Sequence, residues 1–69
     1  MFMSMEKQIS GRELEILTLI AQGMTNKMIA EKINVSEYTV ETHRKNINNK
    51  LGTNSPIGML NEAKRRGLI

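Results

Sequence analysis

Three residues, Asn34, Val35 and Ser36, stand between two segments that each carry their own start and stop signals for a helix. So short a joint sets two helices against each other and leaves a short chain few ways to pack. Upstream, Thr25 can cap a helix from about Asn26 to Ile33, with Ile29, Ala30 and Ile33 facing inward. Asn34 suits its end, because asparagine tolerates a left-handed backbone better than other non-glycine residues. Downstream, Ser36 can cap a longer helix, Glu37 adds negative charge to its first turn, and Gly52 can end it. Val35 and Val40 are spaced as a hydrophobic staple around that cap. The pair reads as a helix-turn-helix arrangement.

Projected at about 100° per residue, the longer helix puts Val40, Ile47 and Leu51 on one narrow stripe. Tyr38, Glu41, Thr42, Lys45, Asn48 and Asn49 fall broadly opposite. That outer face is long-armed and rich in hydrogen-bonding groups. It fits a DNA-recognition helix, and it equally fits a solvated surface helix. Arg44 falls near the apolar stripe, so its stem can pack while its head pairs with Glu13 or Glu31.

The flanks add two more helices. Ser10 and Glu13 form a capping box, with Ile9 and Leu14 spaced as a staple, and predict a helix from about Gly11 to Gln22. Ile16, Leu17 and Ile20 are its apolar stripe, with Ala21 beside it, and Gly23 stops it. Ser55 and Pro56 start a fourth helix, which reaches about Arg66. Met59, Leu60 and Ala63 are its apolar side; Lys64, Arg65 and Arg66 complement its dipole, and Gly67 stops it. Gly58 inside this helix costs about 1 kcal/mol relative to alanine. Residues 1–8 have no clear period and read as a flexible arm, leaving residues 9–69 as the domain. Nothing suggests a strand, so the fold class is all-α, four helices around one small core.

Composition narrows the function. The chain has no cysteine and one histidine, which leaves neither a disulfide nor a thiolate or histidine-rich metal site. No apolar run reaches membrane-span length, and the start is too short and mixed for a signal peptide. A cytoplasmic protein without a cofactor or a membrane partner is expected. Ten Lys and Arg against seven Asp and Glu give a net charge of +3. The second half is the basic one, mild evidence for an anionic partner. Phe2 and Tyr38 are the aromatics, too few for stacking on single-stranded nucleic acid. No nucleophile–base pair or glycine-rich phosphate loop is present, so an enzyme is not expected.

The blocks SGRELEILTLIAQGMTNKMIAEKI and NVSEYTVETHRKNINNKLG, with a last helix ending AKRRGLI, resemble the LuxR-type helix-turn-helix domain. That domain is the C-terminal DNA-binding module of LuxR regulators and of NarL/FixJ response regulators, and it stands free in the spore-coat regulator GerE. The resemblance covers roughly Ile9 to Ile69 and rests on two long blocks in order. It implies a bacterial, sequence-specific transcription regulator that binds double-stranded DNA, with the third helix (about 37–51) in the major groove. Glu41, Thr42 and Lys45 match base-reading positions, and Asn49 can reach the same groove one turn on. Asn26 and Lys27, with Tyr38, Thr39, His43 and Lys50, match positions that contact the DNA backbone. The fourth helix is implied as a homodimer contact around Met59, Glu62 and Ala63, and RNA polymerase as a further partner.

The sequence also departs from the family pattern. Asn34 replaces a frequent glycine, and Pro56 and Gly58 are unusual in the fourth helix. Glu41 stands where a basic residue often sits. It can accept from cytosine N4, or it can hold Arg44 or Lys45 in place. Glu41 and the modest charge also fit a second reading, a helical protein-interaction module that keeps the fold without binding DNA.

Overall fold

The structure is a computed structural model and describes residues 8–69. These residues form four helices and no strand: α1 (Gly11–Ala21), α2 (Asn26–Ile33), α3 (Glu37–Leu51) and α4 (Pro56–Arg65). The all-α, four-helix expectation holds. The expected arm lies outside the described residues except for Gln8, which is exposed and outside any helix.

All four starts follow from the sequence. The side chains of Ser10, Thr25, Ser36 and Ser55 each accept the backbone N–H of the residue three positions on. At α1 the box closes, because the Ser10 amide donates back to Glu13 Oε1 at 2.9 Å. The ends also share one form. Gly23, Asn34, Gly52 and Gly67 take positive φ. The next amide then reaches back five residues: Met24 to Leu19, Val35 to Ala30, Thr53 to Asn48 and Leu68 to Ala63. Because the left-handed residues sit at 23 and 67, Gln22 and Arg66 are caps and not helical residues. The expected α1 and α4 are each one residue too long.

Gly58 has a local cause. A Cβ there would meet the Ser55 hydroxyl oxygen at 3.0 Å. That hydroxyl must stay where it is, because it accepts the Gly58 amide at 3.0 Å and caps the helix.

The core joins Ile16, Leu17, Leu19 and Ile20 of α1 to Ile29 and Ala30 of α2, Val40, Ile47 and Leu51 of α3, and Met59 and Ala63 of α4. The α3 stripe is the one expected. On α1, Leu19 is buried and Ala21 is exposed, contrary to the expected stripe. The reason is that α1 touches all three other helices, so its buried face is wider than one row.

On α4, two of the residues expected around a dimer contact, Met59 and Ala63, are both 0 % exposed within this one chain and pack into its core. Glu62 is half-buried, and its carboxylate accepts from both Arg65 and Arg66. The hydrogen bonds from Arg65 and then Arg66 hold its carboxyl down to about 2. The outward side of α4 carries Ile57, 74 % exposed, with Asn61 and Lys64.

Candidate nucleic-acid interface

Helices α2 and α3 are joined by Asn34, Val35 and Ser36, with Asn34 at φ 61°. This turn brings the start of α2 beside the middle of α3. An open groove forms there, lined by Asn26 of α2, by Glu41, Arg44, Lys45, Asn48 and Asn49 of α3, and by Thr53 and Asn54 of the following loop. It is a surface of amides with two cations and one carboxylate.

Four side chains expected to read bases, Glu41, Thr42, Lys45 and Asn49, are all exposed on α3. Glu41, Lys45 and Asn49 share the groove, whereas Thr42 does not line it. Among the described residues Glu41 enters none of the ion pairs, which join Arg12 to Glu15, Lys50 to Glu13, and both Arg65 and Arg66 to Glu62. Its expected alternative as a partner of Arg44 or Lys45 is therefore not what the structure contains.

The residues expected at a DNA backbone spread over two helices. Asn26 is half-buried at the first position of α2, and Lys27 beside it is exposed. The Thr25 hydroxyl takes the Met28 amide at 3.2 Å. A helix start leaves its first amides without intrahelical acceptors, so those of Asn26 and Lys27 remain for an outside one. Tyr38 is 76 % exposed in the first turn of α3. Thr39 is half-buried and its hydroxyl lies 3.0 Å from that of the cap Ser36. His43 is half-buried beside the α3 stripe.

Lys50 is already engaged. Its Nζ donates to Glu13 Oε1 at 2.7 Å, and the Glu13 side chain is only 6 % exposed. Burial pushes the Glu13 carboxyl up, but the bonds from Lys50 and from the Ser10 amide outweigh it, and the net shift is downward. Lys50 thus ties the end of α3 to the start of α1.

Arg44 also departs from the sequence reading. Its partner is neither Glu13 nor Glu31. Its Nη1 donates to Asn26 Oδ1 at 2.9 Å, across 18 positions of sequence. Burial lowers its pKa from the ordinary value, but an arginine stays charged at neutral pH. The sequence carries no local signal for this bond. Asn48 and Thr53, joined side chain to side chain at 2.6 Å, complete the groove wall where α3 runs into the loop. Helical projection places Asn48 on the outer face, but it cannot place the loop.

Known proteins fit this geometry. The model of the family described as "Bacterial regulatory proteins, luxR family" matches residues 7–61. The chain belongs to the LuxR family of bacterial regulatory proteins. This LuxR-type domain is 49 % identical over 65 residues to the uncharacterized response regulatory protein YgeK of Escherichia coli (strain K12), covering 94 % of the chain and 44 % of that protein. It is 49 % identical over 63 residues to the oxygen regulatory protein NreC of Staphylococcus aureus, covering 91 % of the chain and 29 % of that protein. Among solved structures it resembles the response regulator ChrA of a heme-sensing two-component system. The TM-score there is 0.87, with 39 % identity over 90 % of this chain and 31 % of that one. The chain therefore spans less than half the length of these relatives. It is a LuxR-type helix-turn-helix domain, of the kind that serves DNA-binding transcription regulation, and its family is one of regulators and not of enzymes. No helix among the described residues is long and apolar enough to cross a membrane.

Proposed function

We propose that this LuxR-type domain binds double-stranded DNA sequence-specifically, with α3 in the major groove and the start of α2 on a flanking phosphate. The observation that carries this reading is the placement of exposed Lys45, Glu41 and Asn49 in one groove with Asn26 at an open helix start. Lys45 donates to a guanine, Glu41 accepts from a cytosine N4, and Asn49 and Thr42 extend the reading face. Asn26, Lys27, Tyr38, Thr39 and His43 bind the backbone and set the register. Lys50 supports that set from behind through Glu13. The domain works in the bacterial cytoplasm as a homodimer on two half-sites, with RNA polymerase as a further partner. The exposed Ile57, Asn61 and Lys64 side of α4 is the surface open to a second copy.

Anisotropy titrations against selected and random duplexes at several salt concentrations test this. Lys27→Ala weakens binding to all sequences alike and lowers the salt slope by about 1. Lys45→Ala relaxes preference at one base pair, by about 1–3 kcal/mol of discrimination. If both variants lose equally on selected and random DNA, Lys45 is not a reader. If the unaltered domain binds no duplex at low salt, the protein-interaction reading takes its place.

A further inference from the structure

The reading face and the phosphate anchor lie on different helices, and one side chain joins them. Arg44 leaves α3 beside the apolar stripe and is half-buried. Its guanidinium donates to Asn26 Oδ1 at 2.9 Å. A guanidinium has five donors and no acceptor, so it can meet an asparagine only through the amide oxygen. The orientation of the Asn26 amide is therefore set chemically. With Oδ1 held inward, the Nδ2 hydrogens turn away from Arg44. They join the free amides at the start of α2 as donors. Released from Arg44, the amide could turn over and present its oxygen, which a phosphate repels.

We propose that Arg44 is a positioning residue for DNA binding: it fixes the Asn26 amide with its hydrogens toward a phosphate oxygen and does not itself contact the duplex. This rests on the DNA-binding reading above. Arg44 also makes that contact depend on α3, so the anchor and the reading helix keep one register. Lys45, next along the chain and exposed, plays the opposite part, carrying its charge to the DNA directly.

The test is a double-mutant cycle of Arg44→Met and Asn26→Ala, read by anisotropy over a salt series, with circular dichroism confirming the fold. Each single variant weakens binding about three- to tenfold on every duplex, the worth of one hydrogen bond. The double variant is no weaker than the weaker single one. A direct phosphate contact by a cation carries a salt slope of about 0.9; Arg44→Met lowers the slope by less than half of that. Arg44→Lys, which still donates and cannot accept, recovers part of the loss. Additive losses, or a slope that falls by the full amount, overturn the proposal, because Arg44 then meets the phosphate itself. Asn26→Ala alters no core residue, so it reports even if Arg44→Met unfolds; unchanged affinity in that variant also overturns the proposal. Failure of the unaltered domain to bind any duplex overturns the DNA reading, and this one with it.

Discussion

Helix α3 reaches its neighbours by two polar ties, and they differ in kind. Lys50 and Arg44 flank the Val40, Ile47 and Leu51 stripe on opposite sides. Lys50 turns to α1 and meets Glu13, whose side chain is 6 % exposed. Arg44 turns to α2 and meets Asn26 at the wall of an open groove. In the first tie both partners are charged, and Glu13 Oε1 also takes the Ser10 amide. In the second, one partner is neutral and meets Arg44 through its amide oxygen. The closed tie holds the protein together. The open tie holds a surface ready. The same stem-packed, head-pairing arrangement serves stability or binding according to what the partner has left over.

Four expected outcomes bear on that contrast. The largest is Glu13→Ala, which removes the capping-box acceptor and leaves a half-buried ammonium unpaired. A loss of about 2–4 kcal/mol in urea unfolding is expected; a loss under about 1 kcal/mol would put the tie among ordinary surface pairs. Lys50→Met comes next, at about 1–2 kcal/mol, because Glu13 still accepts the Ser10 amide and the methionine keeps much of the packed stem.

Acid should act through the closed tie and through Glu62 of α4, and not through the open tie. Glu13 is lowered in the folded state and Glu62 is held down to about 2. Both carboxyls bind protons more weakly folded than unfolded, so their contribution is fully present above the ordinary glutamate range. It is lost as the pH falls from about 4.3, the ordinary value, through the folded values. Urea midpoints measured from neutral pH downward should drop across that window, and Glu13→Gln should flatten part of the drop. The smallest stability effect belongs to Arg44→Met, about 0.5–1 kcal/mol. Should it destabilise as much as Glu13→Ala, the two ties are of one kind and the contrast fails.

Much of this was legible in the sequence, for a physical reason. Caps and stops are local: Ser10 with Glu13, Ser36 with Thr39, and Asn34 with its turn act within a few residues. The α3 stripe needs only helical geometry. The partners of charged residues do not follow from local rules. Glu13 was open to Arg44 by charge, but Arg44 and Lys50 leave α3 on different sides, and Glu13 sits on the side of Lys50. The groove was half legible: the outer face of α3 follows from projection, whereas Thr53 and Asn54 join it only once the loop has turned. Met59 and Ala63 were correctly placed on an apolar side, but a resemblance alone cannot divide an apolar side between a core and a partner.

The oxygen that Glu13 shares has a consequence for exchange with solvent. The Ser10 amide lies outside every described helix, yet it donates to the same Oε1 that Lys50 holds from 37 positions downstream of Glu13. When Glu13 swings away, the Ser10 amide and the Lys50 ammonium lose their shared acceptor in one movement. Deuterium uptake at the Ser10 amide thereby reports on the oxygen that it shares with Lys50.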